Sequence, residues 1–411
     1  MNYQKQSHLS VKHAGIYIHI PFCIKKCPYC DFYSISELSL KEPFILALLK
    51  EIELRSDTDL VVDTIYFGGG TPSLLTSEEL EKILSAVAKN FKLASSKSLA
   101  DKVSENLQIT FEVNPGSLNP NKIKDGSLSR YNYLKEIKKI GVNRLSIGVQ
   151  SFDNNKLNFL NRIHSSDDAQ KTILSARDAG FDDIGFDLIY GLPDERQNLW
   201  LNDLNSAIEY SPEHLSCYML SYEPETPMFR AYKRGDITPL DDESVASLFR
   251  LTSKYLTSNS FCHYEVSNFA SSYEHQSKHN KKYWQMVKYL GFGPSAHSYN
   301  GQSERFWNIK SVEKYILMVN QGRLPIAEKE ILTDNQRLIE YTMVGLRTEK
   351  GVELKYFKGL KGLNSVIDEI KQRAWGEEEE CPTDGDRLRL TPDGWLFLDT
   401  ITRWFVDLIE K

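Results

Sequence analysis

Six short apolar runs punctuate the first half of the chain: GIYIHI at 15–20, TIYFGG at 64–69, QITFEVN at 108–114, RLSIGVQ at 144–150, DIGFDLIYG at 183–191 and HLSCYML at 214–220. Each is rich in β-branched and aromatic residues and apolar nearly throughout, the pattern of parallel strands covered on both faces. Between them lie stretches with apolar residues at helical spacing, such as KEPFILALLKEIEL (41–54) and SEELEKILSAVAKNF (77–91). Gly141 and Gly180 follow two such stretches, where a helix C-cap favours glycine. Strand–helix repeats of this kind predict an α/β fold, a partial (β/α)6 barrel over residues 1–230.

Beyond residue 230 the rhythm changes. Residues 231–330 carry less regular strands and many aromatic, His and Asn residues, and read as a connecting region. Residues 331–411 are mainly helical and end in RLRLTPDGWLFLDTITRWFVDLI. That ending predicts strand, Pro-Asp-Gly turn, strand and helix, a mixed, winged-helix-like C-terminal region. The polar run 93–107 reads as a surface insertion, and the acidic run 376–386 as a solvated loop.

Composition narrows the classes. A chain of 411 residues suits two or three domains, and 41% hydrophobic with 26% charged residues suits a packed core. The net charge of -6 provides no field to recruit nucleic acid, and the C-terminal region has no basic stripe, so no nucleic-acid partner is expected. No apolar run approaches the roughly 20 residues that span a bilayer. The start, MNYQKQSHLSVKHAG, lacks the apolar core of a signal peptide, so the expected location is the cytoplasm.

In that reducing setting, clustered cysteines serve metal or redox chemistry rather than disulfides. Cys217 sits in an apolar run and reads as buried, while Cys262 and Cys381 have no evident partner. Cys23, Cys27 and Cys30 form Cys-x3-Cys-x2-Cys directly after the first strand, the end of a barrel strand where active-site loops gather. Three thiolates can hold a [4Fe–4S] cluster with one iron left open. S-adenosylmethionine can close that iron through its amino and carboxylate groups, and an electron from the cluster then breaks its C–S bond. Two other readings stay open. One is a zinc site completed by His19 or Asp31; the other is a dithiol pair in Cys27-Pro28-Tyr29-Cys30, which leaves Cys23 unused.

The remaining strand ends are polar or glycine-rich. They carry Gly68-Gly69-Gly70-Thr71, Glu112-Val113-Asn114, Gly148-Val149-Gln150 and Asp187-Leu188-Ile189, with Arg162 on the segment after the fourth strand. Glycine lets bare backbone approach a ligand. Carboxylates and amides suit ribose hydroxyls or an ammonium, and arginine suits a carboxylate. Each residue has an equal claim to be a buried structural group; their common face is what argues for a site.

Together these motifs resemble the radical S-adenosylmethionine family, and within it the oxygen-independent coproporphyrinogen III oxidases and their relatives, from about residue 14 to the C-terminus. The resemblance implies a radical-SAM barrel with a cluster on Cys23, Cys27 and Cys30. It implies S-adenosylmethionine contacts from Tyr17, Tyr29, Gly69, Gly70, Thr71, Glu112, Gln150, Arg162 and Asp187. The oxidase pattern has a further cysteine two residues after the third, where this chain has Phe32. That departure, with His279-Asn280-Lys281-Lys282-Tyr283-Trp284, is similar to a haem chaperone branch of the family. It implies haem as bound cargo, with His279 in contact with it and its motif facing the barrel mouth; His297 is a second histidine for that role. The function so implied is delivery of haem to haem proteins such as respiratory enzymes, without oxidase turnover. The alternative is decarboxylation of coproporphyrinogen III in porphyrin biosynthesis. The implied partners are haem, the recipient haem proteins, met transiently at a membrane where they reside there, and an electron donor.

Overall fold

The computed structural model describes residues 13–94, 106–118, 129–379 and 385–411. Strands β1 (Ala14–Ile20), β2 (Asp57–Gly69), β3 (Gln108–Val113), β4 (Arg144–Gln150), β5 (Ile184–Tyr190) and β6 (His214–Met219) pair in that order, all parallel. Helices such as Lys41–Leu54, Ser77–Asn90, Ser166–Asp178 and Gln197–Glu209 run between them. Their starts follow local rules: Thr76 with Glu79, and Ser165 with Asp168, form reciprocal caps. The expected partial α/β barrel is present.

The strands are two-sided in a way their apolar look concealed. Outward residues such as Ile65, Phe67, Phe111 and Leu145 are fully buried under the helices. The alternate, inward residues Tyr66, Glu112, Ser146, Asp187 and Ser216 line a cavity. A period of two separates the faces.

Residues 231–330 do not stand apart from this sheet. Strands β7 (Cys262–Glu265) and β8 (Asn268–Ala270) extend the β6 edge, antiparallel. Strand β9 (Tyr289–Phe292) joins β1 in parallel, and β10 (His297–Tyr299), β11 (Glu304–Asn308) and β12 (Ile326–Ile331) continue antiparallel beyond it. The path is β12-β11-β10-β9-β1-β2-β3-β4-β5-β6-β8-β7, with the short strand Phe91–Leu93 against β2. Buried Glu51 secures this addition, accepting from Gly293 N (2.9 Å), Asn308 Nδ2 (2.7 Å) and Tyr315 hydroxyl (2.6 Å) and pairing with Arg55 at 3.0 Å.

Two expectations in this half change. The strand expected after Pro392-Asp393-Gly394 is absent; helices Pro392–Trp395 and Leu398–Ile409 occupy that stretch. Thr391 caps the first through Gly394 N, and Pro392 sits at its first turn, so the cap signal outweighs the turn signal. The acidic run is half strand: Gly376–Glu379 pairs with Arg387–Leu390, its glutamates facing Arg389 and Lys371. Val352–Glu353 completes that small sheet. Residues 380–384 of the acidic run, with Cys381, and most of the 93–107 insertion lie outside the described residues.

Candidate functional site

The cysteine loop begins where β1 ends. Cys23 N donates to Ile35 O (2.9 Å) and Ile35 N to Pro21 O (2.8 Å), which closes the loop's base. Thr71 Oγ1 donates to Cys23 Sγ at 3.4 Å and Arg162 Nη1 to Cys27 Sγ at 3.6 Å. Burial pushes the Cys30 thiol up to about 11, with Cys23 and Cys27 adding to the push. A Cys30 thiol that resists ionising, beside two sulfurs supplied with donors, suits an iron cluster, whose positive irons deprotonate their ligands. Among the described residues no three His, Cys, Asp or Glu side chains are placed to hold a single metal ion. His19, a fourth ligand in the zinc reading, is already engaged with Tyr17 hydroxyl (3.1 Å) and Tyr33 O (2.8 Å).

The glycine run has a second reason to exist. Gly70 N donates to Ile20 O at 2.8 Å, and a Cβ on Gly70 would sit 2.6 Å from Phe22 O. Gly69 has φ +114°, a conformation side chains resist. The end of β2 therefore packs directly on the backbone of the cysteine loop.

A cavity of about 540 Å³ opens beside that loop, lined by Tyr29, Cys30, Gly69, Gly70, Thr71, Glu112, Gln150, Arg162 and Asp187, among others. Glu112 accepts from Tyr66 hydroxyl at 2.8 Å. Burial, and then the charge of Asp187, raise its carboxyl to about 8. Burial also raises Asp187, which accepts from Ser146 hydroxyl at 3.1 Å. Arg162 donates from Nη2 to Gly148 O (3.2 Å) and from Nη1 to Tyr29 hydroxyl (3.5 Å), while its Nε is buried without a partner. An orphan guanidinium donor beside the thiols suits a carboxylate, and two half-buried acids lining the cavity suit amine and hydroxyl donors. The donor set thus fits the amino-acid and ribose parts of S-adenosylmethionine.

Tyr17 is not brought to this lining. It is half-buried, stacked on Tyr66 at 6.1 Å between centroids, with its hydroxyl on His19. Sequence reasoning missed Tyr66, Ser146 and Ser216, although their alternation with apolar neighbours marks them as inward-facing. It also missed a buried ion triad behind the rim. Lys156 Nζ contacts Glu195, and Asp203 at 2.8 Å. Asp203 takes Ser151 hydroxyl (2.9 Å) and Phe152 N (2.7 Å), and Glu195 takes Gly191 N (2.6 Å). The triad pins the loop after β4 to the loop after β5. Lys156→Met leaves two buried acids uncompensated and is expected to cost about 3 kcal/mol or more of stability; a thermal melt unchanged from the parent would contradict this.

The His279 motif closes the other end of the barrel instead of facing its mouth. Helix Lys278–Trp284 crosses the N-terminal ends of the strands: Lys278 N donates to Gln108 Oε1 (2.9 Å), and Lys282 Nζ reaches Asp63 and His13 O, each at 2.6 Å. Asn280 lines the cavity from below. His279 is 1% exposed. Its Nδ1 bonds Thr64 Oγ1 and its Nε2 bonds Tyr283 hydroxyl, both at 2.9 Å. Burial, then Lys282, lower it to about 3, so it stays neutral. His275, on a separate turn before this helix, pairs with Asp183 at 3.7 Å. His279→Ala is expected to cost about 2 kcal/mol, since it orphans the buried Thr64 hydroxyl and the half-buried Tyr283 hydroxyl. An unchanged melting temperature in the haem-free protein would contradict this placement.

Comparison with known proteins defines the class first. Residues 17–203 match the Radical SAM superfamily, which implies a [4Fe–4S] cluster and S-adenosylmethionine. "Heme chaperone HemW" of Escherichia coli (strain K12) is 35% identical over 409 residues, covering 95% of this chain and 98% of that protein. "Heme chaperone HemW" of Bacillus subtilis (strain 168) is 32% identical over 369 residues, 87% of this chain and 91% of that protein. The structure of coproporphyrinogen III oxidase (HemN) from Escherichia coli matches with a TM-score of 0.75 over 96% of this chain and 90% of that one, at 20% identity, which establishes likeness of fold. The chain therefore belongs to the radical SAM superfamily and, within it, to the HemW family. Among the described residues no helix is long and apolar enough to cross a membrane.

Proposed function

We propose that this protein is a haem chaperone, which binds haem and delivers it to haem proteins such as respiratory enzymes. The observation that carries the reading is its near full-length similarity to relatives named as haem chaperones. Phe32, standing where the oxidase pattern has a cysteine, agrees with it. Cys23, Cys27 and Cys30 would hold the cluster, with Thr71 and Arg162 donating to two of the sulfurs. The unpaired Nε of Arg162 would meet the carboxylate of S-adenosylmethionine, while Glu112 and Asp187 would accept from the N–H groups of its amine and from its hydroxyls. When bound, cluster and S-adenosylmethionine supply one-electron cleavage chemistry, for which an electron donor is needed. His279 serves haem only when Thr64 and Tyr283 release it, so its contribution comes with opening of the floor helix.

The oxidase alternative is tested by product. Cluster-loaded protein given coproporphyrinogen III, S-adenosylmethionine and a reductant is expected to make no protoporphyrinogen IX. Its accumulation over many turnovers would overturn the chaperone reading.

A further inference from the structure

Large apolar side chains stand exposed around the mouth of the cavity. Phe32 is 69% exposed, Met219 50% and Tyr218 41%, and all three line the same space as Cys30 and Arg162. A phenylalanine held out in water gains nothing for folding, and grouped exposed apolar residues mark binding surfaces. The rim that carries them is built, not loose. Lys26 Nζ donates to Phe32 O at 2.9 Å, and Met228 N donates to Pro28 O at 2.9 Å, docking helix Pro227–Arg234 on the cysteine loop. Beneath lies a small separate core of Leu160, Ile189, Leu192, Leu220 and Met228, with Tyr29 packed on it.

We infer that Phe32 on one lip, and Tyr218 with Met219 on the other, clamp the flat apolar face of haem over the barrel mouth, with Lys25 and Lys26 meeting its propionates. This rests on the haem reading above and deepens it by giving the cargo a seat distinct from the buried floor histidine. Two observations choose the occupant. Aromatic faces and a thioether suit a porphyrin plane, and thioether sulfur and phenol oxygen are groups that ligate haem iron. Two adjacent, exposed lysines on the cysteine loop, Lys25 with its Nζ on Asn161 Oδ1 (2.5 Å) and Lys26 with its Nζ on Phe32 O, complement a molecule that is apolar across its plane and anionic at one edge, although Asp31 and Glu223 line the cavity itself.

The test is a haem titration of cluster-loaded protein, followed by the haem absorption band, in the parent and in a Phe32→Ser, Met219→Ser double variant. Both side chains are exposed, so their loss leaves the core packing in place. Haem affinity is expected to fall at least about tenfold, as loss of two such apolar contacts implies, with cluster absorbance unchanged. Equal haem affinity overturns the clamp; a parent protein that takes up no haem overturns the underlying haem reading instead. A Lys25→Glu, Lys26→Glu variant is expected to weaken haem but not haem dimethyl ester. Equal loss for both ligands, or none, overturns the propionate contact.

Discussion

Cys27→Ser is expected to abolish the iron–sulfur absorbance after anaerobic reconstitution, while Cys217→Ser leaves it intact. The two thiols differ only in where the fold puts them. Cys27 lies on the loop after β1, with a guanidinium donor 3.6 Å from its sulfur. Cys217 is 3% exposed in β6, on the face packed under helices, where burial pushes its thiol up. A serine hydroxyl does not ionise near neutral pH, so it cannot replace a thiolate, and two remaining cysteines leave two irons unligated. Iron and sulfide analysis with absorbance checks this. A full cluster in Cys27→Ser, or its loss in Cys217→Ser, contradicts the assignment.

The second large effect is electrostatic. The ratio of parent to Glu112→Gln affinity for S-adenosylmethionine is expected to grow about tenfold between about pH 7 and pH 9. Glu112 is raised from the ordinary 4.5 to about 8, so most of it is neutral at pH 7 and most is charged at pH 9. Taking the ratio removes titration of the ligand's own amine, which both proteins face equally. A flat ratio from isothermal titration would exclude the Glu112 carboxylate from the contact. Stability carries the same signature with the opposite sign. The folded state holds this proton more tightly than the unfolded chain, so the ligand-free parent loses stability as pH rises from 4.5 through about 8. Glu112→Gln removes that slope.

The barrel was legible because its signals are local. Six apolar runs and the helical stretches between them fall on observed strands and helices, and caps such as Thr76 and Ser165 are written in adjacent residues. The strand-end motifs were legible for the same reason, and Tyr29, Cys30, Gly69, Gly70, Thr71, Glu112, Gln150, Arg162 and Asp187 do converge. What escaped depends on distant pairing. Strand β9 lies beside β1 although more than 260 residues separate them. Lys156 finds Glu195 and Asp203 only after two rim loops meet. His279 sits in a polar stretch with no burial signal of its own; it is buried because helix Lys278–Trp284 plugs the barrel floor. The C-terminal turn was misjudged because Pro-Asp-Gly serves a tight turn and, after a capping threonine, a helix start equally well.

Handover of haem tests the proposed function most directly. Cluster-loaded protein carrying one haem would be mixed with an apo form of a recipient haem protein, and the recipient's activity followed over time against free haem at the same concentration. The account predicts faster and fuller reconstitution from the loaded protein, weakened in the Phe32→Ser, Met219→Ser variant. Reconstitution no better than with free haem, or no stable haem complex to begin with, would contradict it.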